Sequence, residues 1–273
     1  MSNFHKSMPV ALMAGLIAST ALPASALEMT EIGQFKLGDG EGYAEMIRYH
    51  APSESLLVTS SETRTIERVS ISTPSNISRF DPLDLNGGNV TVVAVHGDLV
   101  AASIKMKPAD APRTVNLFDT GGTLLATYET GALPDNVAFS PDGRYLLTAN
   151  EREPSDDYSV DPEGSFTLID LVNGASNAKV TQISLQGETA PAGSRIIKPG
   201  SNFAADAEPE YVAFAPDGKT AYVTLQENNA VAVIDIATAK VAGIAGLGVK
   251  NVSRTSHDMS NKDGGITMQR WPV

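Results

Sequence analysis

The feature that most constrains this chain is an internal repeat. Pro134-Asp135-Asn136-Val137-Ala138-Phe139-Ser140-Pro141-Asp142-Gly143 matches Pro209-Glu210-Tyr211-Val212-Ala213-Phe214-Ala215-Pro216-Asp217-Gly218 at seven of ten positions. The likeness continues past the turn, where Leu146-Leu147-Thr148 answers Tyr222-Val223-Thr224 and Glu151 answers Glu227. Two fainter copies precede it: Glu45–Tyr49 leads into Leu56–Thr59, and Val92–Val95 leads into Leu99–Ala102. In the two clear copies a short β-branched or aromatic run meets Pro-Asp-Gly and then a second such run. Pro fixes φ, Asp closes a side-chain turn and Gly supplies positive φ, so the tripeptide joins antiparallel strands. Third strands read at Ile66–Ile71, Thr114–Phe118, Ser165–Leu171 and Ala230–Ile236, and fourth strands at Leu124–Glu129, Val180–Leu185 and Val241–Ile244. Four short strands per repeat are a β-propeller blade, so the chain is expected to be all-β. A two-sheet sandwich would not account for a ten-residue match at equivalent turns.

Repeats begin near residues 45, 91, 134 and 209. The first two intervals, about 46 and 43 residues, each suit one blade. The third, about 75, carries extra sequence in the stretches 150–164 and 186–207. Four blades end near residue 245, and Gly246–Val273 reads as the approach to a fifth. Propellers close with about four to eight blades, so the expectation is a ring stopped early or part of a larger one.

Ahead of the repeats, residues 1–26 carry Lys6 as their one charged side chain, an apolar run over Val10–Leu22 and a small-residue Ala24-Ser25-Ala26 end. That is the pattern of a secretory signal peptide, and the apolar run is shorter than the roughly 20 residues of a membrane span. The propeller domain is therefore assigned to 27–273, exported to a periplasm or cell surface. The chain has no cysteine, which removes disulfides, thiolate catalysis and Cys-ligated metals. Export without disulfides fits a bacterial compartment. With 32 acidic against 20 basic side chains the net charge is −12, the wrong sign for a nucleic-acid binder.

Blade topology sorts the acidic residues. Antiparallel strands A to D put the B–C and D–A loops on one face and the A–B and C–D turns on the other. The B–C insertion of the third repeat contributes Glu151, Glu153, Asp156, Asp157, Asp161 and Glu163, and Glu227 is the equivalent of Glu151 one blade on. Asp206, Glu208, Glu210 and Asp135 lie on D–A connections, with Asp258 and Asp263 assigned to the next one. Carboxylates and amide oxygens without cysteine are hard-cation chemistry, which suggests calcium or another divalent cation. The run Asp156–Glu163 does not match an EF-hand. Acidic loops that only solvate an exported protein explain the same residues, so both readings stand. A cation on this face would engage a surface polymer, a protein or a small anionic ligand.

Three histidines remain beyond residue 26. His50 and His96 fall at matching A–B turns on the opposite face and read as exposed turn residues, while His257 adjoins the acidic face. No Gly-x-Ser-x-Gly elbow or Walker-type loop occurs. Arg195 and Lys198 lie in a loop able to meet an anion.

The stretches 133–164 and 207–237 contain Asn150-Glu151, Asp161-Pro162-Glu163-Gly164-Ser165, Glu208-Pro209-Glu210-Tyr211 and Leu225-Gln226-Glu227-Asn228-Asn229. In these the chain resembles the choice-of-anchor I family. The resemblance implies an exported bacterial β-propeller, similar to a mesenchyme-specific cell-surface glycoprotein and to the propeller part of some proteins called alkaline phosphatases. It therefore brings a metal-dependent phosphomonoesterase as the alternative to a binding or scaffold protein. The chain departs from the family pattern at Arg152, where Asn-Glu-Gly is usual, and at Asn251 and Asn261, where acidic residues are usual. Family members also continue into further blades beyond the position of Val273.

Overall fold

The computed structural model describes residues 29–85, 87–105, 113–152, 161–198, 200–248, 257–258 and 268–269. The chain divides into two units, Met1–Ile32 and Gly33–Val273. Of the first, residues 29–32 are described and have no regular structure.

The second unit is built from four antiparallel sheets of four strands, each in chain order. The first blade holds β1 (Ile47–His50), β2 (Ser55–Ser60), β3 (Thr65–Ser70) and β4 (Ser78–Asp84). The second holds β5 (Asn89–His96), β6 (Leu99–Lys105), β7 (Thr114–Asp119) and β8 (Leu124–Glu129). The third holds β9 (Pro134–Phe139), β10 (Tyr145–Asn150), β11 (Ser165–Asp170) and β12 (Lys179–Ser184), and the fourth β13 (Pro209–Phe214), β14 (Thr220–Leu225), β15 (Ala230–Asp235) and β16 (Lys240–Gly246). One helical turn, α1 (Phe203–Asp206), precedes the fourth blade. A short ladder, β17 (His257–Asp258) with β18 (Met268–Gln269), lies in the region expected to approach a fifth blade. These are the blades of a β-propeller, as the repeat predicts. No helix among the described residues is long and apolar enough to cross a membrane.

Each interface between successive blades has its own core. Leu57, Ile66 and Leu83 pack on Val90, Val93 and Phe118 between blades one and two. Val92, Val115 and Leu117 meet Val137, Leu146 and Ile169 between two and three. Leu147, Phe166 and Leu168 meet Val212, Val223 and Ile234 between three and four. Successive side chains of a strand point to opposite faces, so a blade with neighbours on both sides is buried throughout. That is why Val100–Ile104 and Leu146–Asn150 read as continuous buried runs. In the fourth blade β15 alternates instead, with Ala230, Ala232 and Ile234 buried and Val231 and Val233 only half-buried. Among the described residues no apolar cluster joins blade four to blade one.

The sequence shows no fourth strand for the first blade. β4 is an outer strand with five consecutive exposed residues and Pro82 in its run, so it carries neither the apolar alternation nor the propensity of a strand. Pro is tolerated there because an edge strand leaves some N–H positions unpaired.

The two Pro-Asp-Gly turns close as expected. Gly143 has φ +72° and Gly218 φ +68°, and their amides donate to Ser140 O and Ala215 O, each at 2.9 Å. At each joint between blades a side chain of the earlier blade bonds backbone of the later one. His50 Nε2 donates to Gly97 O at 2.9 Å, His96 Nε2 donates to Pro141 O at 3.0 Å, and Asn136 Oδ1 accepts from Val212 N at 3.2 Å. The expectation that His50 is an exposed turn residue is therefore corrected. It is 4% exposed, because its ring fills the seam between two A–B turns.

Candidate functional site

Strand β10 ends in Asn150, whose fully buried amide holds it in place. Nδ2 donates to Ser165 Oγ at 3.1 Å and Thr167 Oγ1 at 3.0 Å, and Oδ1 accepts from Thr148 Oγ1 at 2.8 Å. The chain then runs beside the preceding D–A connection, with Glu151 N donating to Leu133 O and Arg152 N to Ala132 O. The fourth-blade counterpart is anchored by Asn228. Its Oδ1 accepts from Glu208 N at 3.1 Å, and its Nδ2 donates to Asp206 Oδ2 at 2.8 Å and Arg195 O at 3.2 Å. Both loops are thus fixed by a buried asparagine, one before Glu151 and one after Glu227.

These anchors gather acidic side chains from two blades. Glu151 has its carboxyl pushed up to about 7, first by burial and then by the negative charges of Asp135, Glu210, Glu208 and Glu227. Glu210 is raised by burial and by Glu227, Asp135 and Glu208. Asp135 is raised by burial against the pull of Lys105. Glu208 is raised by burial even though Arg152 pairs with it, so desolvation outweighs the ion pair. Glu227 Oε2 is buried without a hydrogen-bond partner among the described residues.

Of the candidates read from sequence, Glu151, Glu208, Glu210 and Glu227 are therefore near enough to act on one another's charge, together with Asp135. Asp161 is drawn aside: Lys198 Nζ donates to its Oδ2 at 2.9 Å and Arg152 Nη1 to its Oδ1 at 2.5 Å, and the carboxyl is held below its usual range. Glu163 precedes β11 and is not among the charges acting on Glu151. Asp206 is fully buried and accepts from Ile197 N, Lys198 N and Asn228 Nδ2, a structural use. Glu153, Asp156, Asp157 and Asp263 lie outside the described residues, and for Asp258 and His257 only the backbone in β17 is described. Among the described residues no group of three or more His, Asp or Glu is placed to hold a metal ion.

Composition did not reveal the cations threaded through this acidic face. Arg152 is 8% exposed and bridges the third-blade loop to the D–A connection of the fourth, with Nη2 donating to Glu208 Oε1 at 3.0 Å. Its φ is +79°, a conformation that favours glycine. Arg195 Nε donates to Glu227 O at 2.6 Å. The loop holding Arg195 and Lys198 thus serves the acidic face from within. The one signal in the sequence was Arg152 itself, standing where the resemblance leads one to expect glycine.

Solved structures similar to this chain are propellers of unrelated sequence. Hydrazine synthase from Kuenenia stuttgartiensis superposes with TM-score 0.52 at 15% identity, covering 70% of this chain and 52% of that one. The β-propeller domain of Cps50 (Swd1) from Myceliophteria thermophila gives 0.51 at 11% identity, covering 74% and 55%. The chain thus spans about half the length of these propellers, and at such identity the likeness is one of fold. No curated protein matches in sequence. The family model of the choice-of-anchor I domain matches residues 45–273, which takes in all four blades and both asparagine-anchored loops, and the chain belongs to that family.

Proposed function

We propose that this is an exported β-propeller that acts by binding, with the acidic loop face as its recognition surface for a cationic partner attracted by its combined charge rather than by a preformed ligand cluster among the described residues, calcium being the first cation to test. The observation that carries the reading is the convergence of Asp135, Glu151, Glu208, Glu210 and Glu227 from two blades, with the Glu151 carboxyl raised to about 7. Carboxylates crowded until they resist ionisation gain from any cation that offsets their repulsion. A rigid sheet scaffold with loops projecting from one face suits binding. Export is supported by the signal-peptide pattern of residues 1–26 and by the family.

Millimolar calcium added to chelator-treated protein is expected to raise the melting temperature. A ligand at a hundredfold excess over its Kd stabilises by about 2.7 kcal/mol. The double variant Glu151→Gln, Glu227→Gln should lose the response. An unchanged melting temperature in the parent protein sinks the calcium part of the proposal. Hydrolysis of p-nitrophenyl phosphate that disappears in the same variant would replace binding by phosphoester chemistry.

A further inference from the structure

An open cleft of about 330 Å³ lies along the four inner strands. Its walls come from all four blades: Arg48 of β1, Ala94 to His96 of β5, Asn136 to Pro141 along β9 and its turn, and Tyr211, Val212 and Phe214 of β13. Two properties set it apart from the rest of a chain with 32 acidic residues. No Asp or Glu lines it, and its one permanent cation, Arg48, makes no ion pair among the described residues. The half-buried Arg48 guanidinium spends one donor on Ile47 O at 3.1 Å, which leaves others for a ligand.

The repeat provides an internal control. His50 pairs with Ser55 and His96 with Leu99 at the first rung of each A–B hairpin, and Ser140 N and Ala215 N bond Tyr145 O and Thr220 O at the same rung. Counting two residues back places Arg48, Ala94, Ala138 and Ala213 at one equivalent position. Three blades carry alanine there, so the backbone does not need a long side chain, and two of these alanines, Ala94 and Ala138, line the cleft with Arg48. Strand alternation puts Arg48 on the same face of β1 as His50, which is turned into the blade-two seam.

We infer that this cleft is a binding site for a small organic oxyanion, a carboxylate or phosphate ester carrying an apolar or aromatic body. Arg48 receives the charge, and Tyr211, Phe139 and Phe214 receive the body. A guanidinium offers paired donors matched to a planar carboxylate or a phosphate. The volume lies at the lower end of the range for small-molecule pockets, about 300–1,000 Å³. Its lining shares no residue with the acidic face.

Titration calorimetry with sodium benzoate and with phenyl phosphate tests the inference and tells the two oxyanions apart. Inorganic phosphate reports whether the body matters, and benzylammonium is the control of opposite charge. At least one aryl anion should bind, and more tightly than inorganic phosphate or benzylammonium. Arg48→Ala should weaken that binding by about tenfold or more, the usual loss for a hydrogen bond to a charged group. That variant installs the alanine of the other three blades, so a melting curve like the parent's is expected, and Arg48→Gln gives an independent reading. Glu151→Gln should leave aryl-anion binding unchanged, which separates this site from the acidic face. No binding of either aryl anion at millimolar concentration overturns the inference. So does equal binding of benzylammonium, or an affinity that Arg48→Ala and Arg48→Gln leave intact.

Discussion

Glu151 makes folding stability depend on pH in a direction opposite to that of a salt-bridged carboxylate. Its ordinary value is 4.5, and in the folded protein burial and four neighbouring carboxylates push it up to about 7. Between those values the folded state holds more proton than the unfolded chain. Stability contributed by the protonated group is full below about 4.5, falls as pH rises toward 7, and is gone above it. Glu151→Gln should therefore be more stable than the parent at pH 8 by about 1–2 kcal/mol, less than the full shift implies because water reaches a half-buried carboxyl. The two should converge near pH 4, as read by urea denaturation. A parent whose advantage grows with pH would contradict this. Arg152 beside it holds a strained left-handed backbone, a cost of about 1–2 kcal/mol for an L-residue. Its ion pairs to Asp161 and Glu208 oppose that cost.

At the scale of the turn, two glycines that look alike in sequence differ in what surrounds them. Both Gly143 and Gly218 sit at positive φ, so either alanine variant pays backbone strain of about 1 kcal/mol. A Cβ on Gly143 would also lie 2.4 Å from His96 Nδ1, whereas on Gly218 its nearest neighbour is Pro141 Cδ at 3.7 Å. Gly143→Ala should accordingly cost at least 1 kcal/mol more than Gly218→Ala in chemical denaturation. Equal losses would mean that the His96 ring moves aside freely. The hairpins themselves were legible because Pro-Asp-Gly and β-branched runs act locally. The His96 ring against Gly143 was not, since it joins residues 47 positions apart through the stacking of blades. The acidic site divides in the same way. Blade topology put Glu151, Glu208, Glu210 and Glu227 on one face, while the removal of Asp161 by Arg152 and Lys198 and the burial of Asp206 depend on three-dimensional partners.

For the molecule as a whole, the three apolar seams make the middle of the arc the most tightly held part. Blades two and three each contribute to two clusters, whereas one and four contribute to one each. Repeat architectures gain stability from nearest-neighbour interfaces, so amide hydrogen exchange should be slowest in β6, β7, β10 and β11 and faster in β14 and β15. Uniform protection across the four blades would contradict a seam-by-seam account. The joints carry a further consequence. The latches from His50, His96 and Asn136 each grip a main-chain group of the following blade, and a peptide carbonyl or amide is the same whatever side chain it bears. The latch itself makes few demands on the side chain of the residue it grips, although the His96 ring still requires a glycine at 143. Exposed positions and loops are then free to vary without disturbing these latches, while the apolar seams and the glycine at 143 constrain what one blade can present to the next.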